Sequence, residues 1–234
     1  TFAWSNEARG KAAVHCVIIG FGLQDLPGKL IYEYEDIRGE PHAVPAANIN
    51  PYLVDAPDMV LPRRSRPVCD VPEIFFGSMA NDGGGLFLTT EERDFFVASE
   101  PRIAPFIRRF LGADEFINDL DRWCLWMVDA SPSVLRSSKP LEERLKAVYA
   151  YRSASKRERT RELAATPSLF GEIRQPTSRY VLVPRHSSER REFIPMGYVD
   201  PDVICGDANM CVPEASMLHF GILSSTMHNA WVRA

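Results

Sequence analysis

Residues 182–195, LVPRHSSERREFIP, set Arg185, Arg190 and Arg191 and the hydroxyls of Ser187 and Ser188 between two short apolar runs. A guanidinium presents its N–H donors in a planar fork, and serine adds a short hydroxyl donor. Together they match phosphate oxygens or a guanine edge. The plainer reading is a solvated charged turn. Glu189, between the arginines, can pair with one of them and hold it in register. Further on, CGDANM (205–210) carries Asp207 and Asn209. Their side chains suit the amino group of cytosine and the two-sided edge of adenine, although a polar turn is the commoner use of such residues. A third group lies in RSASKRERTRE (152–162). On a helix Arg152, Lys156 and Arg159 share one face, with Arg157 and Arg161 beside it. Glu158 and Glu162 can neutralise part of this charge, and the surplus suits a phosphate backbone or else a solvated face.

Other chemistries lack a complete set of residues. No Gly-x-Ser-x-Gly turn is present, and the five histidines fall in no recognisable motif. The five cysteines (16, 69, 124, 205, 211) are odd in number and contain no Cys-x-x-Cys pair. They read as reduced, mostly buried thiols and not as a disulfide framework or a zinc site. NDGGGLFL (81–88) has no Lys-Ser/Thr after its glycines and reads as a tight turn into a strand, not a phosphate cradle. NINPYLV (48–54) imitates the catalytic loop of adenine methyltransferases but has one proline where two are needed. A small enzyme using Cys205 or Cys211 stays open as an alternative; it requires a cation or helix N-terminus beside the thiol. A protein-interaction domain is another.

Charge distribution favours an anionic partner. Residues 101–191 hold 18 Lys and Arg against 11 Asp and Glu, inside a chain of formal net charge −4. Only five of its 27 basic residues are lysine, and such an arginine-dominated middle points to nucleic acid or else belongs to a domain that pairs its charges internally. No apolar run reaches membrane-spanning length.

The elements that must mount these residues follow from patterning. A hairpin turning at Arg9 and Gly10 is expected between Phe2–Asn6 and a β-branched run ending at Phe21 that is buried on both faces. LIYEYED (30–36) alternates as a strand. Seven prolines between 41 and 73 forbid long elements, so residues 36–80 read as an extended linker. Thr89 with Glu92 forms a capping box for a helix. Residues 104–111 are expected as a second helix ended by Gly112, 122–128 as an aromatic strand and 140–165 as one long helix. Strands are expected at 179–184 and 192–199, followed by an apolar block at 216–234. The fold class is α+β, with strands and helices mixed and no regular βαβ alternation.

Six segments then carry a resemblance: FAWSNEARGKAAVHCVIIGF (2–21), ANINPYLVDAP (47–57), GADEFIN (112–118), RWCLW (122–126), SSERREFIPMGY (187–198) and HFGILSSTMHNAWVR (219–233). In this order the chain resembles the C-terminal half of MmeI-like type IIG restriction-modification enzymes, which join a nuclease, an adenine-N6 methyltransferase and a target recognition domain. The resemblance implies that residues 1–35 are the last strands of a methyltransferase domain. Residues 81–234 would be a recognition domain whose chain continues past Ala234. It implies double-stranded DNA and the upstream methyltransferase domain of the same chain as partners, and a cytoplasmic bacterial location. S-adenosylmethionine and the Mg of the nuclease would be bound elsewhere in the parent protein, and this piece would be catalytically silent and hold no metal. Phe2 or Trp4 would stack on the extruded adenine, with ordinary strand packing as the alternative for each. Arg185, Ser187, Ser188, Arg190 and Arg191 would face the duplex.

Overall fold

In a computed structural model of the chain, the structure describes residues 2–5, 13–36, 39–60, 62–64, 66–67, 69–188 and 190–233, with the backbone alone for 2–5 and 13–15. The chain divides into two compact units, Thr1–Val68 and Cys69–Arg233.

The first unit is built from two antiparallel ribbons. Strand β1 (Phe2–Ser5) pairs with β2 (Ala13–Cys16), setting Phe2 opposite Cys16, as the hairpin reading requires. The proposed turn at Arg9 and Gly10 lies outside the described residues. The strand stops at Cys16, however, and Ile18 and Phe21 are 84% and 97% exposed. A two-stranded ribbon has one partner and no covering layer among the described residues, so the expected burial on both faces does not occur. Strand β3 (Lys29–Glu33) pairs with β4 (His42–Ala46), Leu30 facing Pro45 on an edge where a missing N–H is tolerated. Residues 48–58 close on themselves. Asn48 Nδ2 donates to the Ala56 carbonyl (2.8 Å), and the buried Asn50 accepts the backbone N–H of Tyr52 (2.9 Å) on its Oδ1. The Asn-Pro-Tyr stretch is therefore a self-satisfied loop, its amide committed to its own turn.

The second unit holds, in order, β5 (Phe75–Phe76), β6 (Phe87–Leu88), α1 (Thr90–Ser99), β7 (Ile107–Leu111), α2 (Ala113–Asn118), β8 (Trp123–Leu125), α3 (Pro132–Leu135), α4 (Lys139–Ser153), α5 (Glu158–Glu162), β9 (Tyr180–Pro184), β10 (Gly197–Val199), β11 (Ile204–Cys205), β12 (Asn209–Pro213), α6 (Met217–Leu223) and α7 (Thr226–Arg233). The mixed α+β class is observed. One sheet runs β10-β9-β12-β5, the other β11-β7-β8-β6. Because β5 is an outer strand of the first sheet, the second compact unit starts before residue 81, inside the stretch expected as linker. Strand β9 lies between two neighbours and is buried at every residue, as its unbroken Tyr-Val-Leu-Val run predicts. The main core joins Leu86, Phe96, Phe110, Leu125, Leu141 and Val148.

The capping box forms as expected: Thr89 Oγ1 accepts the Glu92 N–H (3.2 Å) and Glu92 Oε2 accepts the Thr89 N–H (3.0 Å). Three expected elements change. Residues 104–111 are a 3-10 turn (Ala104–Phe106) and then β7, because Ile-Arg-Arg-Phe-Leu finds strand partners on both sides, β8 antiparallel and β11 parallel. The long helix is cut after Ser153 and resumes at Glu158. The strand over 192–199 shrinks to three residues behind Pro195.

Candidate nucleic-acid interface

The turn 206–208 is the hinge of the second unit, since it links β11 in one sheet to β12 in the other. The end of β5 locks it: Ser78 bridges Gly206, the Ser78 N–H donates to the Cys205 carbonyl (2.7 Å), and the Gly77 N–H donates to the Asn209 carbonyl (3.0 Å). Gly77 is required here, because a Cβ would lie 2.3 Å from the Gly206 oxygen.

Onto this junction the fold brings the two loops singled out by sequence. The Arg185 N–H donates to the Ala208 carbonyl (3.0 Å), Arg185 Nη1 donates to the Asp207 carbonyl (3.1 Å), and the guanidinium lies 4.6 Å from the centre of the Phe76 ring. A cation on an aromatic face with one fixed hydrogen bond has its head oriented while most of its donors stay unspent. Ser187, Ser188 and Arg190 are exposed and Arg191 is half-buried. Ser188 shapes the turn, its Oγ accepting the Arg190 N–H (3.2 Å) and its carbonyl the Arg191 N–H (3.1 Å). The suggested pairing by Glu189 lies outside the described residues, as do the side chains of Phe2 and Trp4.

Two candidates are withdrawn by burial. Asn209 is fully buried, and its Nδ2 donates to the Leu111 carbonyl (2.8 Å), tying β12 to the end of β7. Its amide holds the sheets together and presents no edge to a base. Arg152 is also fully buried and donates to five backbone carbonyls, those of Ala80, Asn81, Leu163, Thr166 and Leu169. Desolvation lowers its pKa, yet an arginine begins high enough to stay charged. Its face-mates are placed otherwise. With the helix broken after Ser153, Lys156 and Arg159 stand exposed on the loop and on α5.

A further pair escaped the sequence reading. Glu172 engages Arg174 through its Oε2, and its Oε1 lies 4.0 Å from Arg159 Nη2. Arg174 Nη1 donates to the Gly77 carbonyl (3.0 Å). The signal was Glu-x-Arg spacing in an extended stretch, which puts both side chains on one side. Beside the turn, a recess of about 370 Å³ includes Asn81, Asp82, Asp114, Glu115, Arg122 and Asp207 in its lining. Arg122 is paired with Glu115 (3.1 Å) and stacked on Phe87 (4.2 Å), so the remaining carboxylates make the recess a poor anion site.

The thiol alternative fails on burial. Cys205 and Cys211 are both fully buried, and the Cys205 pKa is pushed up by its hydrogen bond with Cys211 and by desolvation. A thiolate nucleophile is disfavoured there. The glycine turn does not form a cradle either. A Cβ on Gly83 would meet the Tyr151 ring at 2.7 Å, one on Gly85 would meet Val148 at 2.6 Å, and the turn leads into β6 instead of a helix. Among the described residues no group of three or more His, Cys, Asp or Glu is arranged to hold a metal ion, and no helix is long and apolar enough to cross a membrane.

Known proteins match this arrangement. DNA methyltransferase A of Bacillus subtilis (strain 168) is 36% identical over 234 residues, all of this chain but 26% of the relative's length. A solved structure of the type IIL restriction-modification enzyme MmeI in complex with DNA superposes with a TM-score of 0.93 at 48% identity, covering 99% of this chain and 31% of that one. The chain thus spans about a quarter to a third of the relatives it matches. The family described as MmeI, target recognition domain, matches residues 55–234, and the chain belongs to that family.

Proposed function

We propose that the chain is the sequence-reading module for double-stranded DNA in an S-adenosylmethionine-dependent adenine-N6 methyltransferase with a linked, Mg-dependent endonuclease. The observation that carries this reading is the junction at which Arg185 is held on the Asp207 turn, with Ser187, Ser188 and Arg190 exposed on the loop that follows. Arg185 and Asp207 are suited to base edges, whereas Lys156, Arg159 and Arg190 are exposed cations suited to phosphates. The complex with DNA described for MmeI supports the choice of ligand.

Residues 1–35 supply the last strands of the methyltransferase domain, which is the partner of this module in the same chain, with Phe2 or Trp4 against the extruded adenine. The glycine turn and the loop 48–58 are both closed by their own packing, which supports a reading in which the cofactor and the catalytic loop lie elsewhere in the protein, and no chemical step is assigned to these residues. A bacterial cytoplasmic location goes with duplex DNA as the partner.

Binding to duplex DNA across a salt series tests the reading. Wild type binds, with log K falling linearly against log salt. Lys156→Ala with Arg159→Ala weakens all sequences alike and reduces the slope by roughly 0.9 per lost phosphate contact. A slope unmoved by the double variant returns these residues to a solvated face.

A further inference from the structure

We infer that Arg174 is an additional phosphate-binding residue, that Glu172 positions it, and that Arg159 and Arg174 form one track for the backbone of duplex DNA beside the base-facing Arg185. The inference rests on the DNA-reading function above and adds residues that neither the charge pattern nor the loop motifs pointed to.

Three points fix Arg174. Its backbone N–H donates to Ser78 Oγ (3.0 Å), Nη1 donates to the Gly77 carbonyl (3.0 Å), and the guanidinium pairs with Glu172. Ser78 is itself buried, and Gly77 sits where no side chain fits, so these anchors belong to the rigid crossing of the two sheets. Glu172 is held as firmly, exchanging backbone hydrogen bonds with Met79 at 2.9 and 3.0 Å. The residue before Gly77 is Phe76, whose ring carries Arg185. Arg174 and Arg185 are thus mounted on consecutive residues of a single strand end, and Glu172 links Arg174 to Arg159 on α5.

Charge and geometry favour a backbone over an isolated anion. One carboxylate between two guanidinium groups leaves a net positive cluster. Arg174 is half-exposed and keeps donors beyond the two that Gly77 and Glu172 engage. Guanidinium heads that are already oriented lose less conformational freedom on meeting a phosphate than free surface cations do. A phosphodiester backbone is a row of single charges, which the anchored Arg174 and the exposed Arg159 beside it can follow.

The sign of a Glu172 variant separates positioning from bulk electrostatics. Removing a negative charge from a DNA-facing surface strengthens binding if Glu172 acts only through its charge. If it positions Arg174, Glu172→Gln weakens binding to duplexes of random sequence and flattens the salt slope. The experiment measures the full chain, with melting temperature recorded for each variant. Arg174→Ala is expected to lower the slope by about 0.9. Arg174→Gln keeps an amide donor for the Gly77 carbonyl without the charge, so it gives the same slope change even if the alanine variant folds poorly. Tighter binding by Glu172→Gln, or an unchanged slope in Arg174→Gln, overturns the inference while wild-type binding leaves the DNA reading standing. No binding by wild type overturns both.

Discussion

Arg152 and Lys156 sit one helical turn apart in sequence and have opposite fates. Arg152 turns into the unit and serves five carbonyls drawn from the 80–81 segment and from the loop 163–169, while Lys156 stands in solvent. No other residue type can do this, because only arginine offers five donors in a planar fork. Arg152→Met leaves those carbonyls without their donor inside the protein and is expected to cost on the order of 3–5 kcal/mol, as broken buried networks do. Arg152→Lys rescues little of this, since three donors on a point charge cannot span the set. Lys156→Met changes stability by roughly 0.5 kcal/mol or less. Urea midpoints of the three variants check the contrast, and equal midpoints for Arg152→Met and Lys156→Met would show that the carbonyls are satisfied some other way. Sequence could not separate the two cations. Both are basic, both fall on one face of the helix expected there, and nothing local says that a charged residue is enclosed.

At the scale of elements, local signals were reliable where the determinant is local. The capping box at Thr89 and the strand run of β9 need only a few consecutive residues. The misread elements depend on partners distant in sequence. Residues 107–111 become a strand because β11, almost a hundred positions on, and β8 flank them, and short apolar runs with two arginines carry no intrinsic preference strong enough to resist. The break after Ser153 accompanies the inward turn of Arg152, again a tertiary demand. The crossing at Gly77 belongs to the same class and can be tested there. A Cβ would meet backbone oxygens of Gly206 and Cys205 at 2.3 and 2.6 Å, and neither can retreat without separating β5 from the turn. Gly77→Ala is therefore expected to lower the melting temperature and to weaken DNA binding with it. Gly221, inside α6 with nothing within 4 Å of its Cβ position, behaves oppositely. Gly221→Ala is expected to stabilise by about 0.5–1 kcal/mol through helix propensity alone. Thermal unfolding of both variants reads the two signs directly.

For the whole molecule, the sequence made the class of partner legible and hid the division of labour among the residues. An arginine-rich middle in a weakly acidic chain pointed to an anionic polymer, and charge is a property that composition reports faithfully. Which polar side chains face outward is decided by topology, so Asn209 and Asp207, two positions apart, could not be told apart before the link between β11 and β12 was seen. Burial removes Asn209 from the surface, and Asp207 remains half-buried at the mouth of the recess with its carbonyl holding Arg185. A carboxylate among arginines proposed to face DNA is repelled by phosphates unless it pairs with a cation or accepts a hydrogen bond from a base. Glu172 and Glu115 take the first course. No ion pair to Asp207 is present among the described residues, which leaves the amino group of cytosine or adenine as its natural donor. Asp207→Ala is then expected to relax preference at one base pair by roughly 1–3 kcal/mol while leaving the salt slope unchanged, since no phosphate contact is lost. Selection from a randomised duplex library, run beside the salt titration, distinguishes the outcomes. Uniform weakening across the library would make Asp207 a structural turn residue, and base reading would then rest on Arg185 and the loop beyond it.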